Sequence, residues 1–225
     1  MSTIKKQRKG DLIRLDSSRA LKALFTVIRD KSCDRTTYTR YCDRLCTILA
    51  EEGLAYVSEA KEKTVETPCG PYAGLEVPPY ETMCAVSIMR SGDILLDALR
   101  RVAVGIAVGK ILCQRDEEDP EKRPKLFYDK LPKDIAKRQV LLVDPMLATG
   151  GSAAMAIDVL LKRGVKETNI LFLVIVAAPE GIKKVHETYP GVRIVTAAVD
   201  KGLNEHKYIV PGLGDFGDRY YGTED

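Results

Sequence analysis

Apolar residues recur at three-to-four spacing in two early stretches, residues 18–30 (Leu21, Leu24, Phe25, Ile28) and 36–52 (Tyr41, Leu45, Ile48, Leu49), which predicts two amphipathic helices. Gly53 is expected to end the second. Over residues 55–79 the pattern changes to β-branched and turn residues, with Pro68, Gly70, Pro71, Gly74, Pro78 and Pro79, and predicts an extended hairpin or arm. From Met83 onward short apolar runs alternate with helical patterns: MCAVSIM, residues 94–102, IAVGKIL, then VLLV, residues 153–163, ILFLVIVAA, residues 181–189 and VRIVTAAV. Strands apolar on both sides and separated by helices predict an α/β fold, a mostly parallel sheet covered on both faces. No repeat divides the chain, so one domain over residues 1–225 is expected. Residues 1–17 are expected to be flexible. Residues 115–125, RDEEDPEKRPK, are too polar and proline-interrupted for an element and are expected to form a mobile loop.

Composition narrows the function. The 35 Lys and Arg against 32 Asp and Glu leave a net charge of +3, interspersed by sign, which gives no reason to expect nucleic acid as a partner. The longest apolar run, residues 170–178, is too short to span a bilayer, and the basic stretch at residues 5–9 is followed by no apolar segment, so a cytoplasmic protein without a membrane partner is expected. The six cysteines contain no C-x-x-C pair and the two histidines, His186 and His206, have no ligand spacing, so no metal held by the protein alone is expected.

The strongest chemical signal is residues 141–152, LLVDPMLATGGS. A buried strand ends at Asp144, where open α/β sheets place ligands; Thr149, Gly150, Gly151 and Ser152 follow, and a helical pattern starts at Ala153. Glycines allow close backbone approach, hydroxyls donate hydrogen bonds and the free N–H groups of a new helix favour an anion, so a monoester phosphate fits. The competing reading is that Ser152 merely caps the helix after a glycine turn. No Lys follows Gly151, which disfavours a P-loop nucleotidase.

Near the carboxyl end, residues 212–217 spell G-x-G-x-x-G and residues 215–217 spell D-F-G. Only eight residues follow Gly217, too few for the rest of a βαβ unit, and no V-A-I-K or H-R-D motif precedes, so neither a dinucleotide fold nor a kinase is indicated. Such a segment can read the hydrogen-bonding edge of a planar base with main-chain N–H and C=O groups. A plain glycine-rich surface loop is the alternative. Arg90 and Arg115, each at a predicted strand end, are candidate anion partners, although an arginine taken singly is more often a solvated or salt-bridged residue.

Residues 144–152, VDPMLATGGS with its preceding valine, resemble the ribose-phosphate loop of phosphoribosyltransferases, and YIVPGLGDFGDRYYGT at residues 208–223 resembles the base-binding signature of the uracil phosphoribosyltransferases. Most phosphoribosyltransferases have two adjacent acids in the loop; here Pro145 replaces the second, which is similar to the uracil branch. Met89-Arg90-Ser91-Gly92, Arg115 and the segment Phe127-Tyr128-x-Lys130-Leu131-Pro132 are similar to the same family, and the resemblance covers roughly residues 63–223, with the first sixty matching loosely.

The resemblance implies a phosphoribosyltransferase-like fold with N-terminal helices, a β-arm and a small base-binding hood over residues 200–225. It implies transfer of the phosphoribosyl group of 5-phospho-α-D-ribose 1-diphosphate (PRPP) to uracil, giving UMP and diphosphate in pyrimidine salvage. PRPP would be held by Arg90, Ser91, Gly92, Arg115, Asp144, Pro145, Met146, Leu147, Ala148, Thr149, Gly150, Gly151, Ser152 and Asp215. Of these, Arg90, Arg115, Asp144 and Asp215 are the expected catalytic groups. Uracil would lie against Ala148, Ile209, Gly214, Asp215 and Phe216, with Tyr208 near the ribose; Phe216 is similar to the eukaryotic form of the family and bears on pocket size. Mg²⁺ would arrive with PRPP and sit near Asp144. A homodimer or homotetramer and GTP as an effector are further implications. The rivals are a non-catalytic ligand-sensing protein that keeps this fold and a transferase for another base.

Overall fold

The computed structural model describes residues 11–58, 60–115 and 124–223. In chain order the elements are β1 (Leu12–Arg14), α1 (Arg19–Ile28), α2 (Arg35–Ala55), β2 (Lys61–Thr67), β3 (Gly70–Glu76), β4 (Met83–Met89), α3 (Gly92–Val102), β5 (Ala107–Arg115) and β6 (Pro124–Lys130). There follow β7 (Gln139–Val143), β8 (Met146–Leu147), α4 (Gly151–Lys162), β9 (Ile170–Ala177), α5 (Pro179–Thr188), β10 (Arg193–Val199), β11 (Gly202–Leu203), β12 (Ile209–Val210) and α6 (Phe216–Tyr221).

The central sheet runs β1-β10-β9-β7-β4-β5-β6, parallel throughout except for β6, with β8 added beside β9. Every residue of β7 and β9 is buried. That is possible because helices cover both faces: α1, α2 and α3 pack on one, around Leu45, Leu95 and Leu173, and α4 and α5 on the other, around Ile157, Phe172 and Val185. The expected α/β architecture is present.

Several sequence expectations need correction. Gly53 does not end α2, which continues to Ala55. Instead, a Cβ at Gly53 would lie 2.6 Å from Leu173 Cδ1, so the missing side chain lets the helix approach β9. Residues 11–17, expected to be flexible, include β1, which pairs with β10 through Leu12, Ile13 and Arg14. The polar stretch at 115–125 is entered by strand at both ends, since β5 runs to Arg115 and β6 begins at Pro124 and pairs antiparallel with it. Its middle, residues 116–123, and the basic residues 5–9 lie outside the described residues. The arm is a hairpin of β2 and β3, exposed along almost its whole length.

The two readings of Gly53 predict opposite signs for Gly53→Ala. Helix propensity alone would stabilise by about 1 kcal/mol. Overpacking against the buried Leu173 costs about 1–3 kcal/mol, so a net loss of about 1 kcal/mol is expected in urea unfolding.

Candidate active site

The chain steps from β4 outward to β5 in one direction, and from β7 to β9 in the other. The order therefore reverses between β4 and β7, whose following helices, α3 and α4, lie on opposite faces. At such a reversal the connections diverge and leave a crevice beyond the carboxyl ends of the strands. The loops that open there start with Arg90 and Asp144, the two positions singled out by sequence.

The second loop is tied down from behind. Pro145 offers no N–H, but its carbonyl accepts from Ile175 N at 2.9 Å and Val176 N at 3.0 Å, and β8 then pairs with β9. Gly150 has φ 75°, and a Cβ there would meet the Gly181 carbonyl at 3.2 Å; conversely, one at Gly181 would meet the Ala148 carbonyl at 2.5 Å. The loop thus rests on the first turn of α5 at a distance only two glycines allow. α4 begins at Gly151 rather than Ala153, with Gly150 as its N-cap and no side-chain capping bond, so Ser152 is inside the first turn and is not the cap. The helix ladder starts with Ala154 N–H donating to the Gly150 carbonyl at 3.0 Å, so the amides of Gly151, Ser152 and Ala153 precede it. Thr149 and Ser152 keep partial exposure beside them. These are the parts of an oxyanion cradle.

In the first loop, Gly92 is as constrained: a Cβ would stand 2.5 Å from the Val143 carbonyl, so the start of α3 fits against the end of β7 only without one. That contact sets Ser91 beside Asp144, where its hydroxyl favours the ionised carboxylate. Burial nevertheless pushes the Asp144 carboxyl up to about 7, with the charge of Asp215 adding to the rise, against the Met146 amide and Ser91, which lower it. Asp93, one residue beyond the stretch noticed in the sequence, accepts from the buried Ser87 hydroxyl at 2.7 Å and from Lys110 Nζ at 3.0 Å. This bracing group was missed because an acid in a helix's first turn is an ordinary feature.

Three anchors hold the C-terminal segment in front of the crevice. Arg29, at the end of α1, makes two 2.8 Å bonds to Asp200 and donates to the Gly212 carbonyl at 2.7 Å, while Asp200 accepts from Gly212 N at 2.9 Å. Arg219 donates to the carbonyls of Ile28 and Leu213, both at 2.6 Å, and of Asp30 at 2.8 Å, with its guanidinium over the Tyr38 ring. Asp215 caps α6 by accepting from Asp218 N at 2.9 Å. Gly212 and Gly214 have positive φ, 60° and 81°, and a Cβ on Gly212 would collide with the Ile209 carbonyl at 2.2 Å.

Phe216 does not point toward the crevice. Its side chain is buried in the core, edge-on to Tyr38 and stacked on Tyr220, so its expected effect on pocket size is corrected: only its backbone is free to face a ligand. Ile209 is likewise buried, whereas Tyr208 is 58% exposed. Arg90 is not a free cation either; it pairs with Asp218 and Thr223. The backbone of Arg115 ends β5, adjacent to β4, on the same edge of the sheet. The structure therefore brings together Arg90, Ser91, Gly92, Asp144 and Asp215, with the loop at 145–152 alongside. Sequence reading did not identify Arg29, Asp200, Arg219 or Gly181, whose roles depend on partners far along the chain.

Comparison with known proteins agrees with this geometry. The sequence profile of the family described as uracil phosphoribosyltransferase matches residues 15–223, so the likeness includes the N-terminal helices. The chain is 51% identical to a uracil phosphoribosyltransferase of Dictyostelium discoideum, over 96% of this chain and 98% of that one. It is 50% identical to one of Saccharomyces cerevisiae, over 92% and 94%. Among solved structures, the AQ2163 protein of Aquifex aeolicus superposes with a TM-score of 0.79 at 30% identity, covering 95% of this chain and 99% of that one. The chain belongs to the uracil phosphoribosyltransferase family.

Proposed function

We propose that the protein transfers the 5-phosphoribosyl group of PRPP to N1 of uracil and releases diphosphate, a cytoplasmic pyrimidine salvage reaction. The observation that carries this reading is the convergence, at one strand-order reversal, of an oxyanion cradle at 148–152, an arginine loop at 90–92 and a backbone-presenting segment at 214–216. Among the described residues no helix is long and apolar enough to cross a membrane.

In this reading the 5-phosphate of PRPP takes the amides and hydroxyls of residues 148–152, and the diphosphate meets Arg90, Ser91, Gly92 and Arg115. Uracil lies against Ala148 and the backbone of residues 214–216, with Ile209 supporting that backbone from the core and Tyr208 at the ribose. Mg²⁺ suits the donor set: Asp144 and Asp215 are hard oxygen donors, close enough for the charge of Asp215 to raise the Asp144 carboxyl. One or two carboxylates plus substrate phosphates are a common magnesium environment, and the ion would neutralise charge on the diphosphate. The chain's own contribution is positioning and charge stabilisation: it aligns the base nitrogen with the sugar carbon and gathers donors where the leaving group becomes negative.

The exposed arm carries Val65, Tyr72 and Leu75 into solvent. A two-stranded hairpin is marginal alone, so we extend the proposal to a homodimer or homotetramer in which the arm contacts a neighbour, with GTP as an effector. A sizing run with and without GTP checks both; a monomer under both conditions rules out the arm contact.

Arg115→Ala is expected to lower turnover at least tenfold while uracil binding stays nearly intact. Unchanged turnover removes Arg115 from the mechanism. Incubation with Mg²⁺, PRPP and each free base in turn, with release of diphosphate measured, separates uracil transfer from transfer to another base and from mere binding.

Asp144 gives a pH prediction with opposite signs for binding and stability. Below about pH 7 its carboxyl is protonated in the free protein, so affinity for Mg²⁺–PRPP should fall as pH drops through that value. Because the folded value is raised, the ionised group opposes folding as pH climbs from the ordinary carboxylate range through about 7. Asp144→Asn should therefore weaken PRPP binding, flatten its pH profile and raise the melting temperature at pH 8 more than at pH 5. Unaltered affinity and magnesium dependence would contradict the assignment.

A further inference from the structure

Arg90 is held by groups that belong to neither strand-end loop. Its Nη1 donates to Thr223 Oγ1 at 2.9 Å, its Nη2 donates to Asp218 Oδ1, and its guanidinium lies 5.5 Å from the centre of the Tyr221 ring. Thr223 also donates to Asp218 Oδ1 at 2.6 Å. The backbone is shaped for this arrangement. α6 ends at Gly222 with φ 71°, and the amides of Gly222 and Thr223 both return to the Asp218 carbonyl, at 2.8 and 3.1 Å, which turns the Thr223 side chain back onto Arg90. Gly217 lies beside the same groups, since a Cβ there would make ordinary contacts with Arg90 Nη2 at 3.4 Å, Asp215 Oδ1 at 3.4 Å and Ser91 Cβ at 3.5 Å.

We propose that Asp218 and Thr223 are positioning residues for Arg90, gripping one edge of its guanidinium so that the remaining donors face the diphosphate. A guanidinium has five N–H donors in a rigid plane; two are used by Asp218 and Thr223, and the others remain for an anion on the opposite side. An arginine on a flexible stem must lose rotamer freedom when it binds, whereas one held by its far edge has already lost it. Asp218 lies in the helix that Asp215 caps, so the grip also ties the diphosphate loop to the segment that faces the base. An exposed ion pair contributes little to stability, so the effect of this one should appear in kinetics rather than in folding.

The inference rests on the assignment of Arg90 to the diphosphate, and the test keeps the two apart. Asp218→Ala in the full-length protein should lower kcat about tenfold, with KM for uracil and the melting temperature unchanged, and Asp218→Glu should recover most of the loss. In an Arg90→Gln background, itself impaired, Asp218→Ala should cause no further loss, because its effect passes through Arg90. If Arg90→Gln is impaired but Asp218→Ala is as active as the parent, more active, or multiplies the loss of Arg90→Gln, the positioning role is overturned while Arg90 keeps its assignment. Full turnover in Arg90→Gln overturns both.

Discussion

The approach of Gly92 to the Val143 carbonyl is the contact on which the crevice depends. Two parallel strands, β4 and β7, lie side by side with both faces buried among mostly apolar side chains, so their polar continuations gather beyond the carboxyl edge. There the two loops can share a crevice only if the start of α3 fits under the end of β7. A methyl group at residue 92 would press on a backbone oxygen that cannot move without disturbing the buried sheet. The same logic recurs between Gly150 and Gly181, where the cradle meets α5. Both close approaches bring main-chain groups to the ligand side, which suits a site built more from amides than from side chains.

Holding the third wall requires a different device. Residues 212–217 have little regular structure, and their carbonyls need partners if the amides are to be presented in a fixed direction. Arg29 and Arg219 act as struts: each spans from the α1–α2 corner to carbonyls of the segment, and Asp200 closes the arrangement by bonding both Arg29 and Gly212 N. Burial of Phe216 against Tyr38 and Tyr220 adds an apolar anchor one residue after Asp215. The N-terminal helices are thus part of the site's frame although none of their residues was among its predicted ligands.

This division explains what could be read in advance. Strands buried on both faces leave continuous apolar runs, and the cradle compresses a strand end, glycines, hydroxyls and a helix start into a dozen residues, so both were visible locally. β6 was not, because it is an exposed edge strand with no buried apolar alternation, and its identity comes from pairing with β5. β1 is three residues long and exists through its register with β10. Arg29 and Asp200 are separated by 171 positions, and a pairing across that distance leaves no periodic trace. Gly53 was misread for a related reason: glycine marks either a helix end or a close packing contact, and only the position of Leu173 distinguishes them. The inward turn of Phe216 depends in the same way on Tyr38.

The free site is electrostatically incomplete, and in a particular direction. Desolvation and the charge of Asp215 hold the Asp144 carboxyl near 7, while Arg90, on the neighbouring loop, is already shared with Asp218, whose own carboxyl is lowered by Thr223 and Arg90. Among the described residues the crevice therefore has two neighbouring carboxyl groups, Asp144 and Asp215, on one side and a cradle for anions on the other. A simple anion would satisfy the cradle and worsen the position of Asp144; a simple cation would do the reverse. A phosphorylated ligand that carries its own divalent ion satisfies both at once, and the separation of the two needs along one crevice, from Asp144 to residues 148–152, sets the direction in which such a ligand has to lie.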